Sequence, residues 1–184
     1  MKRIFIAIKV KAGINFSNII KSLKSGLQTE NIKWTNPDNI HITMVFIGET
    51  AEQKINIISS KLREQCDGIG EFELIIKGLG VFKSIKDPRV IWTGIEQSEK
   101  LTQLYVQIIN GLKDSGVLAE ERPFKPHLTI GRIKYLKDKT VLNALVERYQ
   151  NKEIQKIAVN QVILYESILL PSGPLYKQLT KIEL

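Results

Sequence analysis

Two histidines are the only imidazoles in this 184-residue chain, and each is followed two positions later by threonine: His41-Ile42-Thr43-Met44 and His127-Leu128-Thr129-Ile130. Both tetrads lie in runs of alternating apolar residues. Side chains of a β-strand alternate between its faces. His41 and Thr43 therefore share one face, as do His127 and Thr129, while Ile40, Ile42, Met44, Leu128 and Ile130 turn to a core. Imidazole exchanges protons near neutral pH, so two of them around one substrate can serve as base and acid. Two hydroxyls can stabilise oxygens on which negative charge builds. The set suits phosphodiester cleavage without a metal. In-line displacement needs acid and base on opposite sides of phosphorus, and two lobes related by a pseudo-twofold supply that.

A lone histidine on a half-buried strand is ordinarily a solvated or hydrogen-bonded side chain, and a lone threonine is a common strand residue. Repetition of the whole tetrad, in a chain with no other histidine, is what makes the pair notable. Two histidines are one short of the three protein ligands of open catalytic zinc sites. The nearby acids Asp38 and Glu49 do not complete a set by spacing. No Gly-x-Ser-x-Gly elbow is present.

The tetrads are 86 residues apart, and the same offset places Pro37 on Pro123 and Arg3-Ile4-Phe5-Ile6 on Arg89-Val90-Ile91-Trp92. An internal duplication is implied. Arg3 to Val10 predicts a buried strand. A helix capped by Asn15 follows, with Phe16, Ile19, Ile20, Leu23 and Leu27 inward. Asn36-Pro37-Asp38-Asn39 is turn chemistry leading into strand Ile40 to Ile47. Thr50-Ala51-Glu52-Gln53 has a capping-box pattern before a helix burying Ile55, Ile58, Leu62 and Cys66. Phe72 to Phe82 is a strand. The second half predicts strand Arg89 to Gly94, a helix capped by Ser98, and the stiff segment Arg122 to Pro126 before strand His127 to Ile133. A helix through Leu142 and Tyr149, a long strand Ile157 to Leu169, the turn Pro171 to Pro174 and a strand Leu175 to Ile182 follow. The expected fold is α+β and bilobal, with two pseudo-symmetric β-α-β-α-β lobes. Their mostly antiparallel sheets would face a central cleft, with helices outside. The chain is expected to form a single two-lobed domain over 1–184. Lobe 1 would span about 1–83, to which a C-terminal strand could be exchanged, and lobe 2 about 88–184, with a seam at Lys83 to Pro88.

The chain is 43% hydrophobic, enough for a sizeable core, and its net charge of +8 favours an anionic partner. Its lysines are scattered, which points to a local anion site rather than a nucleic-acid coat. The single cysteine, Cys66, forms no internal disulfide and is expected to be buried. The apolar run Ile4 to Ile8 is too short for a signal-peptide core, and no run approaches membrane-spanning length. A cytoplasmic protein is expected.

These features resemble the 2H phosphoesterase superfamily, marked by two His-x-Thr/Ser-x motifs. Within it the chain is similar to the bacterial and archaeal RNA 2′,3′-cyclic phosphodiesterases, also called 2′-5′ RNA ligases. The matching stretches are Arg3 to Ala7, His41 to Met44 with Phe46 and Gly48, Pro88 to Trp92, Arg122 to Arg132, Glu166-Ser167 and Pro171 to Tyr176. The resemblance implies metal-free hydrolysis of an RNA 2′,3′-cyclic phosphate end to a 2′-phosphomonoester, with His41 as proton donor and His127 as acceptor. It implies that Thr43 and Thr129 hold the phosphate, that Arg132 lies near it, and that reversal would join RNA ends through a 2′-5′ linkage. No cofactor or metal is implied. The implied partner is RNA or a nucleotide with a 2′,3′-cyclic phosphate, met by a monomer away from any membrane. Strict alternation turns Arg132 away from His127, though a bend at Gly131 could re-aim it. Phe46 carries the same parity conflict; in the cleft it could stack on a base, and otherwise it is a core aromatic. Tyr176 is assigned to packing. Two other readings compete: a 2′-5′ oligoadenylate or small cyclic-phosphate phosphodiesterase on the same scaffold, and a non-enzymatic RNA-binding protein. Binding alone would not need paired imidazoles.

Overall fold

The computed structural model describes residues 1–120, 123–171 and 173–184. Among these are nine strands and four helices. The strands are β1 (Lys2–Lys9), β2 (Asn31–Trp34), β3 (His41–Thr50), β4 (Phe72–Lys83), β5 (Pro88–Ile95), β6 (His127–Tyr135), β7 (Glu153–Val159), β8 (Gln161–Leu170) and β9 (Gly173–Glu183). The helices are α1 (Ile14–Gly26), α2 (Glu52–Cys66), α3 (Glu99–Asp114) and α4 (Thr140–Tyr149).

The fold is α+β, a curled antiparallel sheet in the order β7-β4-β5-β6-β3-β1-β8-β9, with β2 also paired to β6. The strand order interleaves the two halves of the sequence. β8 and β9, from the second half, extend β1, whereas β4, from the first half, lies between β5 and β7. Lys83 to Pro88 is therefore the turn of a β4–β5 hairpin, and the sheet does not divide there. It narrows instead between β3 and β6, whose pairing is Ile42 opposite Leu128. Those are the middle residues of the two His-x-Thr motifs.

Ile4, Phe5, Ile6, Ala7 and Ile8 of β1 are all buried because the strand is covered on both sides. Ile4, Ile6 and Ile8 join the main core under the helices, together with Phe16 and Leu23 of α1, Ile58 and Leu62 of α2, and Leu104 and Ile108 of α3. Phe5 and Ala7 join a second cluster, with Ile163 and Tyr165, on the opposite face.

Several elements differ from expectation. The expected strand Ile157 to Leu169 is two strands, β7 and β8, on opposite arms of the sheet; the chain crosses over at Asn160, whose carbonyl accepts from the Leu184 amide. The N-cap of α1 is Gly13 rather than Asn15. Its amide donates to Gln155 Oε1 at 2.7 Å, so a tertiary bond replaces a local cap. The capping box at Thr50 does not form: Ala51 is the N-cap of α2, and the Thr50 hydroxyl donates back to the Gly48 carbonyl. β2 was not expected. Ser98 caps α3 as expected, accepting from the Leu101 amide. Arg122 of the stiff segment and Ser172 of the last turn lie outside the described residues.

Candidate active site

Both ring-bearing strands are bulged at matching places. On β3, Thr43 pairs with Ala7 and Val45 with Ile6, leaving Met44 as an extra residue. On β6, Thr129 pairs with Trp92 and Gly131 with Ile91, leaving Ile130 as an extra residue. The bulges are 86 residues apart, like the motifs. A one-residue bulge reverses the inside–outside parity beyond it. Phe46 and Arg132, three residues after the threonines, thus return to the histidine face. This resolves the parity conflict, and the device is the extra residue rather than a bend at Gly131. The freed Ile130 carbonyl accepts from the Thr35 amide at 2.8 Å.

His41, Thr43, Phe46, His127, Thr129 and Arg132 all line one cleft of about 970 Å³. With Ile42 opposite Leu128, antiparallel register sets His41 across from Thr129 and Thr43 across from His127. Each imidazole is then flanked by a hydroxyl of its own strand and one of the other.

The two rings are held in the same way. His41 Nδ1 lies 2.6 Å from the Asn39 carbonyl oxygen, and His127 Nδ1 lies 2.7 Å from that of Lys125. A carbonyl only accepts, so Nδ1 carries a proton in each ring, and Nε2 remains to exchange protons. His41 Nε2 is 3.1 Å from Thr43 Oγ1, which donates to it when the ring is neutral. The His41 ring packs against Phe5 at 5.1 Å and edge-on against Tyr176 at 5.2 Å. The His127 ring stands edge-on to Phe82 at 4.7 Å. Phe82 leans on Trp92, whose ring lies over Gly80 where a side chain would collide.

Burial holds the His41 pKa below its ordinary value, with the Asn39 bond opposing and the charges of His127 and Arg132 adding to the depression. Burial also lowers that of His127; the Lys125 bond opposes and Arg132 adds. The rings sense one another, so a doubly protonated pair is disfavoured and the singly protonated pair is the state that can carry one acid and one base.

Further lining residues escaped the sequence reading. Arg3 lies over the Phe46 ring, 5.0 Å from its centroid. Phe5 sits on the cleft floor, while Lys33 and Lys134 line the β2–β6 arm. Tyr176, assigned to packing, borders His41, with its hydroxyl pKa raised by burial. Arg3 and Phe5 were within reach of sequence, since they alternate along β1, but a continuous apolar run hides which face is the cleft. Among the described residues, no three His, Cys, Asp or Glu side chains cluster as metal ligands would. No helix is long and apolar enough to cross a membrane.

An α+β sheet that brings two His-x-Thr strands to one cationic cleft defines a two-histidine phosphoesterase. The chain belongs to the LigT-like phosphoesterase family, whose model matches residues 8–92 and 94–176. It is 39% identical over 180 residues to the RNA 2′,3′-cyclic phosphodiesterase of Thermotoga maritima, covering 96% of this chain and 92% of the relative. Identity to the protein of the same name from Methanothermobacter thermautotrophicus is 34%, with coverage of 95% and 94%. Among solved structures, Escherichia coli LigT complexed with 3′-AMP superposes with a TM-score of 0.78 at 24% identity, covering 100% of this chain and 98% of that one. That likeness shows the fold.

Proposed function

We propose that this chain hydrolyses RNA 2′,3′-cyclic phosphate ends to 2′-phosphomonoesters by paired-histidine acid/base catalysis. The observation that carries the mechanism is the matched pair of imidazoles in one cleft, each with Nδ1 committed to a carbonyl and Nε2 left for chemistry. The relatives named for this activity support the substrate class. His127 Nε2 takes a proton from the attacking water. The P–O3′ bond breaks, and His41 Nε2 donates the proton that O3′ needs. Thr43 and Thr129 donate hydrogen bonds to the non-bridging oxygens, and Arg132 adds charge stabilisation from the cleft wall. Phe46, with the Arg3 guanidinium over it, offers a flat surface on which the terminal base stacks. The proton transfers involve no metal. Run backwards with a 5′-hydroxyl in place of water, the same steps form a 2′-5′ linkage.

Incubating an RNA ending in a 2′,3′-cyclic phosphate with the protein in EDTA tests this. The expected product is the 2′-phosphate, with a bell-shaped pH profile. A 3′-phosphate product, or activity only on adding metal, refutes the mechanism.

A further inference from the structure

Past the tetrads the pseudo-symmetry breaks. Phe46 and Arg132 are equivalent positions, but their surroundings diverge. Around Phe46 the floor is aromatic, with Phe5, Tyr165 and Tyr176 packed together. Arg132 is followed on the same face by Lys134 and faced across the β2–β6 ladder by Lys33. Like charges directly opposite each other destabilise a sheet. Among the described residues, none of Lys33, Arg132 and Lys134 forms an ion pair. All three line the cleft, where Asp38 is the one carboxylate. The Lys33 amine also reaches the β8–β9 turn, lying 3.6 Å from where a Cβ on Gly173 would be. The cationic strip therefore runs from beside the reacting phosphate to one end of the cleft.

A cyclic mononucleotide brings one phosphate, and the tetrads with Arg132 account for it. The cleft volume, about 970 Å³, is at the upper end for small-ligand sites. Arg132 and Lys134 alternate on one strand face, about 7 Å apart, close to the separation of neighbouring phosphates in an extended RNA strand. We propose that Lys33 and Lys134 hold the phosphate immediately upstream of the reacting end, so that the preferred substrate is an oligonucleotide rather than a cyclic mononucleotide. This rests on the cyclic-phosphate reading above.

The test compares wild type with the Lys33→Ala/Lys134→Ala double variant, whose fold is checked by circular dichroism. For wild type, kcat/KM on a trinucleotide ending in a 2′,3′-cyclic phosphate should exceed that on the cyclic mononucleotide about tenfold. In the double variant the ratio should approach one; partial misfolding would lower both substrates together and leave the ratio unchanged. Binding of a 5′-fluorescent pentanucleotide ending in a 2′-phosphate, followed by anisotropy against salt, is the second readout. Its log–log salt slope should shrink by about 0.7 per lysine removed. A wild-type ratio near one, a ratio that survives in the variant, an unchanged salt slope, or no pentanucleotide binding overturns the proposal. Lysine-dependent binding without hydrolysis of either substrate would instead sink the catalytic reading and leave the strip standing.

Discussion

Leaving-group dependence can separate the two imidazoles. His41 is assigned to protonate a departing alkoxide and His127 to deprotonate water. A nitrophenyl phosphodiester releases a phenolate that needs no proton, so it makes an acid dispensable and leaves a base essential. General acid or base catalysis contributes typically 10²–10⁴-fold, or about 3–5 kcal/mol of barrier. The His41 pKa is held below 6.5, so in the free protein at pH 7 less than about a quarter of His41 rings are protonated. On the cyclic phosphate, His41→Ala and His127→Ala should each lower kcat by about 10²–10⁴-fold. On the nitrophenyl ester, followed by phenolate absorbance, His41→Ala should stay within about tenfold of wild type while His127→Ala keeps its full loss. Equal losses for His41→Ala on both substrates would refute the assignment. Rescue of His127→Ala instead would reverse the two roles.

Stability should depend on the same rings. Burial depresses both histidine pKa values below 6.5 in the folded state, so the unfolded chain binds protons first as pH falls. Their stabilising contribution is full above pH 6.5 and is lost as pH falls from there through the folded-state values. Urea midpoints measured across that range should fall, and fall less in His41→Gln and His127→Gln. Gly80→Ala should destabilise by about 1–3 kcal/mol, because its Cβ would lie 2.4 Å from the Trp92 ring. Displaced Trp92 would carry Phe82 off His127, so kcat should fall in the fraction that remains folded. Burial pushes the Cys66 thiol up to about 12. It should therefore resist a disulfide reagent at pH 8 until denaturant is added; rapid reaction of the native protein would place it at the surface.

The motif strands were legible because period-two alternation and paired side chains are local properties. What escaped was set by tertiary pairing. A bulge is recognised by its partner strand, and β3 reads as alternating until Ala7 is seen opposite Thr43 and Ile6 opposite Val45. The doublets Met44-Val45 and Ile130-Gly131, in which two successive residues are buried, were the available sign that alternation slips there. β2 is four residues long, with exposed Asn31 and Lys33, and gains strand character from the β6 edge. Propensity could not split Ile157 to Leu169, since both pieces are strand and only their destinations differ. Thr50 matched a capping box by spacing, but its hydroxyl was claimed by the turn at Gly48, whose φ is +87°.

The duplicated features share one offset: a carbonyl two residues before the ring, the ring, the hydroxyl, and the bulge. Asn39 and Lys125, His41 and His127, Thr43 and Thr129, and Met44 and Ile130 are each 86 apart. Everything that grips a phosphate is therefore nearly symmetric, and neither imidazole is made an acid or a base by its own strand. The asymmetry begins one step beyond the bulge, where one half points an aromatic ring into the cleft and the other a guanidinium followed by a lysine. A substrate that lays its base on the Phe46 side and its chain on the Arg132 side presents O3′ to only one of the rings. Donor and acceptor are then consequences of how the nucleotide lies. The bulges, by turning positions 46 and 132 inward, make that orientation a property of the sheet.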